Sequence, residues 1–433
     1  MALTKKPVKG MKDVMPEEME IRNYVMDLIK STYRTYGFTQ IETPCVENIE
    51  NLTNKQGGEN EKLIFKILKR GEKLHLEDAK SDADLVDSGL RYDLTVPLSR
   101  YYSNHMNELP APFKALQMGN VWRADQPQRG RFRQFMQCDI DILGEPSNLA
   151  EIELILATTT LLGKLDFKDF NIRINDRRML KAMAAYAGFE EASYDTVFII
   201  LDKMDKIGAD GVREELIGEG YDEAVVDRYM GLFEGLGQIR EANEAEDDSV
   251  LASKEIAYLA DTMKEMLPAE CRTNLDEIRE SVNAAKTADF HLVFDPTLVR
   301  GMSYYTGTIF EVELKEFHSS CGGGGRYDRM IGKFTGQNTP ACGFSIGFER
   351  IITILLEQGF KVPRDKENIA FLVEKGLETE EQNLVFKQAE ALRREGYTVL
   401  MVRMAKNKKF QKEQLSGQGY TEIREFFKGK ITG

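Results

Sequence analysis

The segment from Val121 to Gly144, VWRADQPQRGRFRQFMQCDIDILG, constrains the fold more than any other part of the chain, because its residues alternate in polarity. From Arg131 onward the odd-numbered positions are mostly charged or amide residues, and the even-numbered positions are mostly apolar. A period of two predicts a strand with one face toward a core. Turn-forming residues at 126–130 precede it, and residues 116–122 also have a strand pattern. The sequence therefore predicts a β-hairpin with a long tip.

The polar face of this hairpin carries both arginine and aspartate, which leaves two interpretations open. In the first, the face is solvated and cross-strand ion pairs lie along it. In the second, its arginines form a local basic patch in a chain whose formal net charge is −13. An acidic chain can meet a nucleic acid only through such a patch. The arginines of the segment are Arg123, Arg129, Arg131 and Arg133.

Length and composition indicate a globular protein with several domains. A chain of 433 residues is too long for one compact core, and typical domain sizes suggest about two to four units. Hydrophobic residues make up 42% and charged residues 30%, which is ordinary for such proteins. The N-terminal residues lack the apolar run of a signal peptide, and no apolar stretch reaches membrane-spanning length. We expect a cytoplasmic protein without a membrane partner.

The cysteines and histidines are dispersed along the chain. Neither the five cysteines nor the four histidines show the spacing of a metal site, such as CxxC or HExxH. We therefore expect free thiols, no disulfide framework and no metal site formed by the protein alone.

Periodicity divides the chain into a core that is interrupted by a helical insertion, followed by a small α/β unit. The predicted boundaries are 1–174 for the first part of the core, 175–285 for the acidic, strand-poor insertion, 286–360 for the second part of the core, and 366–433 for the small unit. Helices are predicted at 18–36, 148–162 and 378–394, with a further helix after 402, and strands at 38–43, 291–294, 306–314, 369–373 and 397–402.

The sequence GFSIG at 343–347 matches the nucleophile elbow of hydrolases. A triad histidine would have to follow it, but the last histidine is His318, so we reject that interpretation. Instead, Gly343, Ser345 and Gly347 place small residues on one strand face, against which another group presses closely. Arg350 follows at the start of a helix, where it can meet an anion. A buried strand with a surface arginine is the alternative.

Two further glycine-containing segments are candidates for functional positions. The four glycines at 322–325 predict a flexible turn with functional side chains at its exit, and a plain loop is the alternative. Arg300 precedes a strand whose buried face is expected to hold Phe310, Val312 and Leu314. Neither a Walker A sequence nor GxGxxG occurs, so a bound nucleotide would be held by side chains on a sheet.

Taken together, these segments resemble the histidyl-tRNA synthetases of class II, and the resemblance covers most of the chain. The residues that carry it are GMKDVMPEEM, GFTQIETPCVE as motif 1, RYDLTVP, VWRADQPQRGRFRQFMQCDID as motif 2, LVRGMSYYTG and CGGGGRYD as histidine signatures, and GFSIGFER as motif 3. The resemblance implies an α/β fold with an α+β catalytic core, in which helices flank an antiparallel sheet. A helical insertion and a small C-terminal α/β domain complete it.

The resemblance also implies a role for each matched residue. Arg123 and Arg300 would be catalytic, with Arg300 stabilising the charge at the α-phosphate. The implied ATP-binding residues are Arg123, Asp125, Arg131 and Arg350. The implied histidine-binding residues are Asp93, Thr95, Gln137, Asp141, Tyr305 and Tyr327, of which Asp141 and Tyr305 would flank the imidazole nitrogens.

The implied reaction forms histidyl-adenylate from L-histidine and ATP, with Mg²⁺ bridging the phosphates, and then transfers the acyl group to tRNA(His). Motif 1 implies a homodimer. Contacts to tRNA are implied for Gln126 and Gln128 in the hairpin tip, and the C-terminal unit carries a basic patch that is either a tRNA contact or a solvated helix face. Its residues are Lys406, Lys408, Lys409 and Lys412.

The sequence departs from the family pattern in three places. Ser303 stands where an aspartate is common, and Gln126 stands where an arginine is common. The C-terminal unit is also shorter than the usual anticodon-binding module, which predicts an exposed sheet edge. A different class of protein shares this core, namely the non-catalytic histidine-binding subunit that regulates ATP phosphoribosyltransferase. The presence of Arg300, the insertion and a C-terminal unit favours the enzyme.

Overall fold

The computed structural model of the chain describes residues 3–53, 60–300, 304–316 and 319–431. The chain forms two compact units, Met1–Phe360 and Lys361–Gly433. Among the described residues, no helix combines the length and the apolar composition needed to cross a bilayer.

The first unit begins with a helix followed by the strands of the predicted hairpin. Its first elements are α1 (Pro16–Thr35), β1 (Thr39–Ile41), β2 (Val46–Asn48), α2 (Ile49–Thr53), β3 (Lys66–Leu68), α3 (Asp82–Leu85), β4 (Val86–Leu90), α4 (Thr95–His105), β5 (Phe113–Trp122), β6 (Gln134–Leu143), α5 (Leu149–Lys164) and β7 (Phe170–Asp176). Short 3-10 turns lie at Asn60–Leu63 and Gly71–Lys73.

Helix α1 forms where its apolar stripe predicts it. Pro16 occupies its first turn together with acidic residues, which suit a helix N-terminus. Ile21, Val25, Ile29 and Tyr33 are all buried, so one face of the helix packs against the core. The helix ends before Gly37, whose φ of +82° is open to glycine but strained for other residues.

Between β7 and the next strand, the chain is helical, as predicted. The helices are α6 (Arg177–Ala187), α7 (Tyr194–Leu201), α8 (Met204–Gly218), α9 (Glu223–Ala242), α10 (Asp248–Thr262) and α11 (Ala269–Ala285), with a 3-10 turn at Glu191–Ser193. Aspartates cap three of them, since the side chains of Asp176, Asp222 and Asp247 accept backbone N–H groups of α6, α9 and α10.

The second part of the sheet follows this helical block. Its elements are β8 (Phe290–Phe294), β9 (Thr308–Leu314), β10 (Ser319–Arg326), α12 (Gly332–Thr335), β11 (Ala341–Ile346) and α13 (Phe348–Glu357). They complete an eight-stranded mixed sheet in the order β1-β5-β6-β11-β10-β9-β7-β8. Its inner strands pair antiparallel, while β1 with β5 and β7 with β8 pair parallel. A small separate sheet has the order β2-β4-β3.

The four glycines at 322–325 were predicted to form a turn, and this prediction is wrong. They lie inside strand β10, between β9 and β11. Their small size is needed there: a Cβ on Gly324 would fall 1.9 Å from the carbonyl oxygen of Gly343 on the neighbouring strand. Glycine thus allows backbones and side chains to approach this part of the sheet closely.

The second unit is a small α/β fold. It contains β12 (Asn368–Val373), α14 (Thr379–Arg394), β13 (Thr398–Arg403), α15 (Lys408–Gly417) and β14 (Tyr420–Phe426). The strands form a parallel sheet in the order β13-β12-β14. The predicted strands and the helix at 378–394 are confirmed within a residue or two. Strand β14 was not predicted, although its charged and apolar residues alternate with the period of a strand.

Candidate active site

A cavity of the first unit is lined by residues of β6 and of the tip of the β5–β6 hairpin. The strands of this hairpin pair antiparallel from Phe113 with Leu143 to Trp122 with Gln134, which confirms a hairpin with a long tip. Strand β6 begins at Gln134, so the prediction that the strand starts at Arg131 is wrong. The backbones of Gln128 and Arg131 form two hydrogen bonds with each other inside the tip. The backbone N–H of Arg133 donates a hydrogen bond to the carbonyl of Gly10.

The polar face of β6 is buried rather than solvated. Gln137, Asp139 and Asp141 are 9%, 4% and 3% exposed, and all three line a cavity of about 430 Å³. The sheet continues on the far side of β6, because β11 pairs with it from Cys138 to Leu143. The burial of these side chains excludes the interpretation of a solvated polar face.

Four buried acceptor groups converge at the inner end of this cavity. Asp93, Gln137, Asp139 and Asp141 each keep one side-chain oxygen that has no hydrogen-bond partner among the described residues. Buried acceptors are normally satisfied, so unpaired ones are typical of a site that a ligand completes. Here the ligand must bring hydrogen-bond donors or positive charge.

The carboxyl groups at this end favour their neutral forms. Burial raises the pKa of Asp141 to about 7, although the hydrogen bond from Tyr327 opposes the shift and the charge of Asp93 adds to it. Burial also raises the pKa of Asp93. The pKa of Asp139 lies well above its usual range, because it is buried and faces Asp141. A cationic ligand would reverse these shifts by stabilising the charged forms.

The glycines on β10 and β11 make room for the charged groups of the site. The hydroxyl of Tyr327 donates to Asp141 at 2.5 Å, and a Cβ on Gly343 would fall 1.9 Å from the same carboxyl oxygen. A Cβ on Gly323 would fall 2.4 Å from the guanidinium of Arg300. The expected close approach to the small-residue face is therefore confirmed for Gly343, with Asp141 as the approaching group.

Arg300 combines an unusual backbone conformation with a side-chain ion pair. It has a φ of +57°, which is uncommon for a residue with a side chain, and its guanidinium donates to Glu311 on β9 at 2.6 Å. The guanidinium group thereby lies against the cavity, beside Ser320. Ser303, which follows in the sequence, lies outside the described residues.

Arg123 is fixed in the hairpin tip by two aromatic rings. Its guanidinium carbon lies 4.3 Å from the ring centre of Tyr92 and 5.1 Å from that of Phe135, and its Nε donates to the carbonyl of Tyr92. Cation–π contacts of this kind orient a guanidinium without neutralising it. Arg123 therefore keeps its positive charge at the cavity wall.

The outer end of the cavity is lined by Arg131, Arg350 and Asp125. Arg350 follows the first residues of α13, as the sequence predicts, and burial together with the like charge of Arg131 lowers its pKa. Of the remaining arginines in the tip, Arg129 pairs with Glu357 and Arg133 donates to the carbonyl of Asp125. Some arginines of the hairpin tip thus line the cavity, whereas Arg129 and Arg133 form contacts that stabilise the tip.

The cavity brings together every residue that the resemblance assigned to amino acid and ATP. Its lining includes Asp93, Thr95, Arg123, Asp125, Arg131, Gln137, Asp141, Arg300, Tyr305, Tyr327 and Arg350. It also includes residues that the sequence reasoning did not select. Asp139 could have been found, because it shares the strand face of Gln137 and Asp141. Tyr304 could also have been found, because it stands next to Tyr305 in the signature LVRGMSYYTG. Glu311, which binds Arg300 but is not among the lining residues, gave no such signal, since only the folded sheet brings it to Arg300.

The candidate tRNA contacts lie elsewhere. Gln126 and Gln128 are exposed in the hairpin tip and do not line the cavity. In the second unit, Lys406 and Lys409 are exposed, whereas Lys408 and Lys412 pair with Glu425 at 3.3 and 3.2 Å. Part of the basic patch is thus neutralised within its own unit. Among the described residues, no group of three or more histidine, cysteine or acidic residues is arranged to hold a metal ion.

Comparison with known proteins shows which family the chain resembles. The family model described as histidyl-tRNA synthetase matches residues 10–351. A histidine–tRNA ligase of Leifsonia xyli is 45% identical over 359 residues, covering 81% of this chain and 80% of its own. One from Korarchaeum cryptofilum is 35% identical over 410 residues, covering 94% and 87%.

Solved structures show the same fold. A histidyl-tRNA synthetase from Nostoc superposes with a TM-score of 0.77 at 27% identity, covering 96% of this chain and 90% of that chain. A Bacillus halodurans protein described as an ATP phosphoribosyltransferase regulatory subunit/histidyl-tRNA synthetase has a TM-score of 0.74 at 20% identity, which compares folds only. The chain belongs to the histidyl-tRNA synthetase family.

Proposed function

We propose that this protein activates L-histidine with ATP and transfers the histidyl group to tRNA(His). The observation that carries the proposal is the polarity of the cavity: unpaired buried acceptors lie at one end, and arginines lie at the other. A substrate pair with a cationic amino-acid head and a polyphosphate tail would satisfy both ends. Family membership itself implies the use of ATP.

The inner end would bind histidine. Asp93, Thr95 and Gln137 would accept the α-ammonium group, and Asp141 would accept an imidazole N–H. The hydrogen bond from Tyr327 fixes one oxygen of Asp141 and leaves the other, unpaired oxygen for the ligand. With Tyr305 on the opposite side of the ring, an amino acid that lacks the imidazole would leave these groups unpaired, which is costly in a buried site.

The outer end would bind ATP. Arg123, Arg131 and Arg350 supply the donors that phosphate oxygens require, and Asp125 would lie near the adenine. Mg²⁺ would enter as part of the Mg·ATP substrate, bound to the phosphate oxygens. No ligand set of the described chain is needed to hold it in advance.

The first step would be an in-line displacement at the α-phosphorus. A carboxylate oxygen of histidine forms a bond to phosphorus, and the bond to the bridging oxygen breaks, so that pyrophosphate leaves with the electron pair. Arg300 would stabilise the negative charge that builds up on the α-phosphate oxygens, which is worth about 3 kcal/mol or more in such sites. Its ion pair with Glu311 would keep the guanidinium in place for this role.

In the second step, a ribose hydroxyl at the tRNA 3′ end would attack the acyl carbon, and AMP would leave. Gln126 and Gln128 are exposed in the hairpin tip, where they are free to contact the acceptor end. We also propose a homodimer formed through motif 1, and an insertion domain at 175–285 between the two parts of the catalytic core.

The C-terminal lysines provide a test of the tRNA contact. Replacing Lys406 and Lys409 by glutamate should weaken tRNA binding and reduce the slope of log affinity against log salt by about one per lost phosphate contact. The same change at Lys408 and Lys412 should have a smaller effect on the slope, because Glu425 already offsets their charge. Filter binding between low and moderate salt measures both slopes. Equal affinity for all variants would make the patch a solvated helix face.

Charging of tRNA tests the whole proposal. The purified chain should attach radiolabelled histidine to tRNA in an ATP-dependent reaction, and the product should be sensitive to mild base, as an aminoacyl ester is. A protein that binds histidine but neither makes the adenylate nor charges tRNA would instead be a regulatory subunit.

A further inference from the structure

A second cavity, of about 350 Å³, lies behind the tyrosine pair of the active site. Tyr304 and Tyr305 line both cavities, so a single aromatic layer is common to the two. The other walls of the second cavity come from α6 and α7 in the helical block and from the segment around Arg329 and Lys333. The proposed reaction assigns no role to this cavity.

The second cavity is positively charged in an acidic protein. Its lining contains four cationic and two acidic side chains, namely Arg177, Lys181, Arg329 and Lys333 against Glu191 and Asp195. Three of the cations are exposed, while Arg177 lies at the buried side. The local excess of positive charge contrasts with the formal net charge of −13 for the chain. Such a cavity attracts anions.

Arg177 is the most informative of these residues. Its side chain is only 6% exposed, and its Nε has no hydrogen-bond partner among the described residues. The carboxylate that it faces, Asp195, is 3.7 Å away and 76% exposed. Burial lowers the pKa of Arg177, and Asp195 offsets this only in part. Its Nη1 donates to the carbonyl of Val299 at 3.5 Å, and its guanidinium carbon lies 4.8 Å from the ring centre of Phe198. These neutral groups do not balance the charge, so the guanidinium is buried with incomplete compensation.

Arg178 and Arg326, two partly buried arginines of the same unit, are each compensated by a carboxylate in two-point contact. Arg178 binds Asp176 through two nitrogens at 2.9 and 2.7 Å, and Arg326 binds Glu151 through two nitrogens at 2.7 Å each. Breaking such compensation around a buried charge is strongly destabilising in proteins. Arg177 has no carboxylate at hydrogen-bond distance among the described residues, and it lines a cavity that an anion can enter.

We propose that the second cavity binds a phosphate group, with Arg177 at its base and Lys181, Arg329 and Lys333 around its rim. A guanidinium fork matches the oxygens of a phosphate, and ammonium groups around it add charge without demanding a fixed geometry. Two sources carry this chemistry, a free phosphate compound and the phosphodiester backbone of RNA. This proposal does not depend on the proposed reaction, because phosphate binding in the second cavity can be measured without any catalytic turnover.

Titration with inorganic phosphate tests the site. In calorimetry at low salt, the triple variant Lys181→Gln/Arg329→Gln/Lys333→Gln should bind phosphate at least about tenfold more weakly than wild type. The control Arg34→Gln/Arg70→Gln/Lys264→Gln makes the same charge change at exposed positions of the same unit. It should retain wild-type affinity, including any contribution from the active-site arginines. Equal phosphate affinity in the triple variant and the control would overturn the proposal.

A substitution of Arg177 separates ligand binding from a structural role. Arg177→Gln removes an incompletely compensated charge, so its Tm without ligand should equal or exceed that of wild type. The rise in Tm that phosphate gives Arg177→Gln should be smaller than the rise in wild type, and the remaining rise reflects phosphate at the active-site arginines. A lower Tm with an unchanged phosphate-induced rise would show that Arg177 is structural, and would overturn the assignment of the base of the site.

Binding of single-stranded oligoadenylate then distinguishes the two sources. If the phosphodiester backbone is the source, the triple variant should bind oligoadenylate more weakly than the control does, and inorganic phosphate should compete for wild-type binding. If a free phosphate compound is the source, the two variants should bind oligoadenylate equally while their phosphate affinities differ.

Discussion

The two ends of the active-site cavity differ in the charge of the side chains that line them. At the inner end, Asp93, Asp139 and Asp141 are buried with unpaired oxygens, and burial favours their neutral forms. At the outer end, Arg123 keeps its charge between two aromatic rings, and Arg300 keeps its charge in an ion pair.

The difference between the ends indicates what each requires of its ligand. The carboxyl groups are incomplete without a cation or hydrogen-bond donors, since a buried acceptor without a partner raises the free energy of the folded protein. The arginines are already held in place by neighbouring groups, so an anion can bind without reorganising them. The inner end would therefore select the amino acid, while the outer end would drive the chemistry on phosphate.

Arg300→Ala should give the largest effect and should act only at the phosphate end. We expect the rate of histidyl-adenylate formation to fall by about 100-fold or more, with histidine affinity nearly unchanged, because the lost interaction forms in the transition state. Single-turnover adenylation and calorimetry with histidine measure the two quantities. Arg129→Ala, which alters an arginine of the hairpin tip outside the cavity, should leave both unchanged.

Removing Arg300 also leaves Glu311 without this partner. The double variant Arg300→Ala/Glu311→Gln tests whether that carboxylate causes the loss. The double variant should remain as slow as Arg300→Ala. Recovery of the rate would show that Arg300 acts only by neutralising Glu311, and would contradict its role at the α-phosphate.

Asp141→Asn should act at the other end. Replacing the carboxyl group removes a charge-assisted acceptor for the imidazole, and we expect KM for histidine to rise by about tenfold to a hundredfold. KM for ATP should change little, because the ATP-binding arginines are unaltered. Pyrophosphate exchange with each substrate varied in turn measures both constants. A rise in KM for ATP alone would reverse our assignment of the two ends.

Gly343→Ala tests how closely the backbone at Gly343 packs against Asp141 at the inner end. The added methyl group would overlap the Asp141 carboxyl, so it should raise KM for histidine by a smaller factor than Asp141→Asn and should lower Tm. The control is Gly231→Ala in α9, where a Cβ meets nothing within 4 Å. That variant should be neutral or stabilise by about 0.5–1 kcal/mol. Thermal unfolding measures Tm, and pyrophosphate exchange measures KM for histidine, in both variants. Equal changes in these two quantities at the two positions would contradict the close approach of Gly343 to Asp141.

The pH dependence of stability tests the inner end without any substrate. The pKa of Asp141 is about 7 in the folded protein and about 3.9 in the unfolded chain. Between these values the folded state holds more protons, so this group lowers stability as pH rises, with the full penalty above pH 7. The Tm of Asp141→Asn minus that of wild type should become more positive from pH 5 to pH 8. A constant difference would show that Asp141 ionises normally.

Much of the inner and outer ends could be predicted from the sequence, because the residues lie in short segments with strong local patterns. The period of two placed Gln137 and Asp141 on one face of a strand, and the hairpin brought Arg123 to the same cavity. The resemblance to the family supplied the roles. The extent of β6 was overpredicted, since the backbone of Arg131 forms hydrogen bonds with Gln128 inside the tip, and the N–H of Arg133 donates to the carbonyl of Gly10.

What the sequence could not predict depends on contacts between distant strands. The four glycines have no strand propensity of their own, and they form β10 because only glycine fits between β9 and β11 at that spacing. The partnership of Arg300 with Glu311 likewise requires β9 to lie beside the site. The incomplete compensation of Arg177 emerges only after every neighbouring carboxylate has been placed.

Amino acid-dependent exchange of pyrophosphate into ATP tests the division of the cavity most directly, because it needs both ends but no tRNA. With the purified chain, Mg·ATP and labelled pyrophosphate, histidine should support rapid exchange, and the other amino acids should support almost none. Absence of histidine-dependent exchange from a folded preparation that binds histidine, or exchange with amino acids that lack an imidazole, would contradict the account.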